Sequence, residues 1–212
     1  MQGSTQVVGL LQINQRGGLT LLKSDSALLK SIILGLTALV FSTLSYSQES
    51  QGCPEYTPEQ TYILKLAYTI AQQPDPEVYE ALGGHLGHTF AAIIAQESFV
   101  WRHIQRFNTS DGDMGSWGLG HVTVETMLHY EGLDNNFKNR TEAVPDWIAL
   151  MLTDDIASLR YSYEILKTKI VPNSFYMTRM RYNGGGAAAQ NYAVKVGEVV
   201  NVFIRCGMFK NG

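Results

Sequence analysis

From residue 57 onward the apolar positions of this chain recur at helical spacing, with polar punctuation between the runs. Thr57-Pro58-Glu59-Gln60 reads as a capping box with proline at the first helical position, and Ile63, Leu66, Ala67 and Ile70 follow on one face. Asp75-Pro76-Glu77 opens a second, short helix that Gly83-Gly84 ends. A third is predicted from about residue 88 to 101, its apolar face set by Phe90, Ile93 and Ile94. Residues 105–118 are polar and glycine-rich and read as a loop. Thr123 caps a short helix that runs to about Tyr130, residues 132–140 read as loop, and a helix around Trp147 follows Pro145. Asp154 or Asp155 starts a longer helix in which Ile156, Leu159, Tyr163, Leu166 and Ile170 form one stripe, and Pro172 stops it. Helical stretches over 175–181 and 187–204 flank Gly184-Gly185-Gly186. No internal repeat and no convincing strand alternation interrupts this pattern. The pattern predicts a mainly α domain.

Residues 1–47 read differently. Arg16, Lys23 and Lys30 are their only cations and Asp25 their only anion. An apolar stretch from Ile32 to Leu44 then gives way to Ser45-Tyr46-Ser47-Gln48-Glu49. A basic flank, a short apolar run and small residues at alternate positions make a secretory signal pattern, with a cut after Ser47. Some thirty residues precede the apolar run, more than such a signal needs. Two readings follow: a signal whose own start lies near Leu28 or Leu29, or an uncleaved N-terminal membrane anchor over residues 31–45. A buried core helix is the alternative to both, because the run is short for a span. The expected organisation is therefore a signal or anchor over 1–47 and one domain over 48–212.

Composition narrows the choices. At 212 residues, 45% hydrophobic and 17% charged, the chain has the core of one ordinary domain. The net charge is −3, which opposes general nucleic-acid binding. Three of the 16 basic and one of the 19 acidic residues lie in 1–47, so the remainder carries −5. Two cysteines exclude a disulfide-dense scaffold and a four-cysteine zinc site. Cys53 and Cys206 lie near the two ends of the domain, where they either pair after export or remain unrelated thiols.

The residue with chemical promise is Glu97. It lies seven beyond Phe90 and four beyond Ile93, on the apolar face of the third helix. Low-dielectric surroundings there disfavour a charged carboxylate, which is what a general acid needs. A slight rotation of the helix would instead leave Glu97 at a solvated boundary.

Three further segments bear on that choice: Gly115-Ser116-Trp117-Gly118-Leu119-Gly120-His121, the helix from Asp155 to Leu166, and Arg181-Tyr182-Asn183-Gly184-Gly185. Together with Ala95-Gln96-Glu97-Ser98, their order and spacing resemble the lytic transglycosylases of the soluble type (the SLT domain of the lysozyme-like superfamily) over roughly residues 60–205. The resemblance implies a lysozyme-like helical domain with a glycan-binding cleft. It implies cleavage of the bond between N-acetylmuramic acid and N-acetylglucosamine in peptidoglycan, with one glutamate as acid and then base, no cofactor and no metal. Glu97 matches that catalytic glutamate. Ser98, Trp117, Gly118, Leu119, His121, Tyr182 and Asn183 match positions that line or support the groove. The two glycines would let a sugar ring approach the backbone, and the Tyr182 hydroxyl would lie near the acid. Three positions depart from the family pattern: His121 stands where glutamine is common, Asp155 where asparagine is frequent, and Gly185 where alanine is frequent.

Other candidates carry less. Asp111 and Asp113 would supply a second carboxylate for hydrolysis by water, or are turn residues beside glycine. His85 and His88 lack the frame and third ligand of a zinc site. Trp101 and Trp147 read as core or rim, and Met177 and Met180 as packing residues. The expected partner is the peptidoglycan strand, in the periplasm or envelope, with service to a secretion, conjugation or phage machine. A muramidase and a non-catalytic wall-binding module are the competing functions.

Overall fold

A computed structural model describes residues 52–99, 103–108 and 115–210. Among them the chain is mainly helical. The order is α1 (Pro58–Gln72), α2 (Pro76–Leu82), α3 (Gly87–Ser98), β1 (Phe107–Asn108), β2 (Ser116–Trp117), β3 (Val122–Thr123), α4 (Val124–Tyr130), α5 (Phe137–Thr153), α6 (Asp155–Thr168), α7 (Phe175–Tyr182) and α8 (Gly186–Arg205). Residues 1–47, with the signal or anchor reading, lie outside the described residues, as do Trp101, Asp111 and Asp113. Among the described residues no helix is long and apolar enough to cross a membrane.

Local chemistry sets most helix starts. Thr57 Oγ1 accepts from the Gln60 N–H at 3.2 Å, and Gln60 Oε1 accepts from the Thr57 N–H at 2.9 Å. Asp75, Thr123, Asn136, Asp154 and Ser174 cap α2, α4, α5, α6 and α7, each with a side-chain oxygen that accepts from a backbone N–H of the first turn. Helix α3 has no side-chain cap. It is held by burial instead: Gly87 and every residue from Thr89 to Ile94 are buried, as expected of a helix packed on all sides.

Four expectations change. The third helix ends at Ser98, with Phe99 at its C-cap, before residue 101. Helix α5 begins at Phe137 and runs through Pro145, so much of 132–140 is helical. Pro145 forfeits one backbone hydrogen bond, but Val144, Trp147 and Met151 are buried in one cluster and carry the helix past it. Ile156 is 44% exposed and leaves the α6 stripe, whereas Leu159, Tyr163 and Leu166 stay in the core. The polar loop also contains a small antiparallel sheet of order β1-β2-β3, pairing Phe107 with Trp117 and Trp117 with Val122. Strands of two residues are too short to show an alternation.

Two apolar clusters build the core. The larger joins α1, α2, α3, α6 and α8 through Leu64, Val78, Phe90, Ile94, Leu159 and Phe203. The smaller joins β3, α4 and α5 with Ile165 of α6. Tyr182 packs against both. Cys53 and Cys206 are joined, with Cα atoms 5.7 Å apart, so the paired alternative is the one the fold adopts. Closing so long a loop contributes on the order of 4 kcal/mol.

Candidate active site

Helix α3 carries Glu97 and Ser98 in its last turn. Ser98 is fully buried. Its hydroxyl lies between the carbonyl oxygens of Ile94, at 2.9 Å, and Leu119. Its own carbonyl accepts from the Gln105 N–H at 2.6 Å. Ser98 therefore fastens the segment 118–121 to α3 rather than reaching into open space.

That segment is strapped just as firmly to α6 and α7. The Leu119 N–H donates to Ser158 Oγ at 2.8 Å, and Tyr182 donates its hydroxyl to the Gly120 carbonyl at 2.8 Å. A Cβ at Gly118, where φ is +77°, would sit 2.6 Å from Met151 Cε and from Ser158 Oγ. A Cβ at Gly120 would sit 2.6 Å from Ser162 Cβ and 2.7 Å from the Tyr182 hydroxyl. The space a side chain would take at those glycines is thus filled by α5, α6 and Tyr182. Leu119 is fully buried in the larger core cluster, so its side chain lines no groove. At the two glycines a missing side chain shows that something comes close but not what.

The strapped segment presents His121, whose φ of 47° turns the backbone sharply. Its ring Nδ1 is 3.5 Å from Glu97 Oε2, and its Nε2 is 3.3 Å from the Gln105 carbonyl oxygen. If Nε2 carries the hydrogen that the carbonyl accepts, a neutral His121 turns its Nδ1 lone pair toward Glu97. The two side chains are 6% and 17% exposed. The carboxyl is therefore largely, though not wholly, withdrawn from water.

Two tyrosines complete the corner. Burial first, and the Glu97 charge second, push the Tyr182 hydroxyl up from its ordinary value, against a hydrogen bond with Ser162. Burial and then Glu97 do the same to Tyr192. The Tyr192 hydroxyl is buried with no partner at full hydrogen-bond geometry. Tyr192 was not visible as a candidate, yet the signal was present: a polar group among Ala189, Ala193 and Val196 on the buried stripe of α8.

Asp155 has a specific counterpart. Arg106 Nε and Nη2 lie 3.1 and 3.0 Å from its Oδ1. The Arg106 carbonyl accepts from the Gly118 N–H at 2.8 Å. An acid at this position thus anchors the residue that holds one end of the strapped segment. The partners are 49 residues apart, and no local spacing announces them.

The remaining candidates disperse. Trp117 is half-buried on β2, with Phe107 beside it at 6.4 Å between ring centroids. Asn183 is exposed at the C-cap of α7 and shares a groove with His121 and Tyr182. Trp147 is buried in the smaller core cluster. His85 and His88 pack around Tyr68, which stacks on Phe209. Burial, then the His85 charge, lowers His88 from its ordinary value. Among the described residues no group of three or more His, Cys, Asp or Glu could hold a metal ion.

Comparison of the chain with models of known families, with curated proteins and with solved structures finds no match.

Proposed function

We propose that this protein is a peptidoglycan lytic transglycosylase of lysozyme-like fold, exported to the periplasm or cell envelope, with Glu97 as its single acid and base. Glu97 protonates the glycosidic oxygen between N-acetylmuramic acid and N-acetylglucosamine. The muramyl acetamido oxygen closes on C1 as that bond breaks. Glu97, now a carboxylate, takes the proton of the muramyl C6 hydroxyl. The freed oxygen attacks C1, displaces the acetamido oxygen and closes a 1,6-anhydro ring. Water is not consumed, so one carboxyl suffices where the two-carboxylate scheme needs a pair. The reaction needs no cofactor.

The observation that supports this reading best is the setting of Glu97: 17% exposed, with His121 Nδ1 at 3.5 Å. A neutral imidazole accepting through Nδ1 suits the protonated carboxyl of the first step. The partner within the wall is the glycan strand, and a secretion, conjugation or phage machine is the setting proposed for it.

The test is digestion of purified peptidoglycan with mass spectrometry of the products. Anhydro-ended muropeptides are expected. Reducing ends would make the enzyme a muramidase, and no release would make it a wall-binding module. Glu97→Gln should lower the rate by at least about a thousandfold while keeping the thermal transition, because general acid catalysis and its protonated carboxyl are lost together. Retained cleavage in that variant would remove Glu97 from its role.

A further inference from the structure

A groove of about 210 Å³ adjoins the Glu97 corner, sharing His121 and Tyr182 with it. Thr123 and Thr126 supply hydroxyls, Val122 and Ile165 apolar surface, and Lys169 and Arg181 the only permanent charges among the described residues. Among the described residues no carboxylate lines it. The domain around it carries −5, so two cations facing one groove run against the general balance. Neither has an ion pair among the described residues, whereas Lys167, close by on α6, has two, with Asp75 at 3.3 Å and Glu164 at 2.8 Å. Each cation stands at a helix C-terminus, Lys169 capping α6 and Arg181 in the last turn of α7. Offsetting the helix dipoles accounts for a cation at each position. It does not account for both opening on the same groove with their charges unanswered.

Resting on the transglycosylase reading, we propose that this groove binds the carboxylates of the peptide stem on the muramyl residue. The enzyme would then prefer stem-bearing glycan to bare glycan. The covalent layout of the substrate favours this occupant. The stem hangs from the lactyl group of the muramyl ring whose bond Glu97 would break, so its carboxylates are tethered close to His121 and Tyr182. Arg181 can hold a carboxylate through two parallel N–H donors, and Lys169 adds a point charge. Thr126 and the exposed Asn183 amide offer neutral hydrogen bonds to the peptide itself. Tethering raises the effective concentration of the carboxylates, so modest contacts suffice for discrimination.

The test uses Lys169→Gln combined with Arg181→Gln. Arg181 is exposed and Lys169 partly so, and thermal melting checks that the variant folds. Three substrates are digested: intact peptidoglycan, the same strands stripped of stems by an amidase, and strands whose stem carboxylates are amidated. The double variant should lose about fivefold to tenfold in kcat/KM on intact strands, the scale of two solvent-facing charge contacts. It should match the unaltered protein on the stripped and amidated ones. Equal losses on all three substrates, or no loss on any, would overturn the proposal.

A binding arm separates this proposal from the catalytic reading. Disaccharide-peptide and bare disaccharide are titrated into Glu97→Gln and followed by NMR or calorimetry. Tighter binding of the peptide-bearing form, lost in the Lys169/Arg181 variant and weakened by salt, sustains the groove even if no turnover exists. Indifference to the stem while anhydro products form would sink the groove and leave the enzyme standing.

Discussion

Two buried tyrosines in this fold stand beside a carboxylate, and the two settings differ in how far the acid is satisfied. On one edge Tyr163 neighbours Asp75. Burial first and Asp75 second push its hydroxyl up to about 12, with Lys167 opposing. Asp75 itself accepts from the N–H groups of Glu77 and Val78 and meets the Lys167 ammonium at 3.3 Å. In the other corner Tyr192 neighbours Glu97, and the acid has neither a lysine, an arginine nor a backbone N–H in an equivalent place among the described residues. It has an imidazole at 3.5 Å. Among the described residues neither tyrosine hydroxyl has a partner at full hydrogen-bond geometry, but that of Tyr192 lies against the Glu97 carboxyl. An acid with a full set of partners stabilises a fold and is poorly suited to giving up or taking a proton. An acid left short of partners costs stability and stays available for chemistry.

The harshest way to break the contrast is to disturb the backbone that presents His121 to Glu97. Gly120→Ala would drive a methyl into Ser162 and the Tyr182 hydroxyl, all on packed helices. A loss of about 2–3 kcal/mol in stability is expected from overpacking, with wall cleavage lost as His121 shifts. Gly84→Ala, near the other edge, has nothing within 4 Å of the added atom. It should leave stability within about 0.5 kcal/mol. Chemical denaturation of the two variants measures both. Equal stability for the two would mean that the segment 118–121 yields easily.

The uneven legibility of the chain follows from what each feature depends on. The caps at Thr57, Asp75, Thr123 and Asp154 could be read because a cap is settled within about four residues. Glu97 could be read because Phe90 and Ile93 fix the face on which it falls. Pro145 misled because its local cost is real, while the burial of Val144 and Met151 that outweighs it depends on other elements. Gly118 and Gly120 mark close approaches, but Ser158 and Ser162, which fill the space, lie about 40 residues on. Arg106 and Asp155 meet only through the fold, and so do Tyr192 and Glu97. The candidate site was thus legible in its acid and in one tyrosine, and illegible in the contacts that orient them.

A gentler variant sharpens the comparison directly. Tyr192→Phe removes a buried hydroxyl without a full partner, so folding should be unchanged or slightly favoured. Cleavage should nevertheless fall about tenfold in kcat, with KM little altered, because the hydroxyl steers the Glu97 carboxyl. Tyr163→Phe should be as mild on stability and leave cleavage untouched. Steady-state kinetics on soluble glycan fragments, beside a thermal melt, decide it. Equal activity in the two variants would reduce Tyr192 to a packing residue.

The smallest effect comes from the satisfied edge and appears in the acid limb of stability. Burial raises the Asp75 carboxyl, but the Val78 N–H, Lys167 and the Glu77 N–H together outweigh it and hold the group below 3.8. A carboxyl lowered on folding adds stability that is present above its unfolded value and is lost as pH falls through the folded one. The contribution of Asp75 should therefore be complete above about pH 4 and fade below it. Its size should not exceed about 1 kcal/mol, since the side chain is 24% exposed. His88, lowered by burial from 6.5, also loses stability on acidification. It does so at higher pH, where the neutral ring must charge, so the two steps separate. Asp75→Asn keeps a competent helix cap while removing the charge, and should flatten only the limb below about pH 4. Denaturation midpoints across pH 2.5–7 measure this. A variant as acid-sensitive as the parent in that lower range would show that Lys167 gives Asp75 no net support, and the contrast with Glu97 would then rest on backbone N–H groups alone.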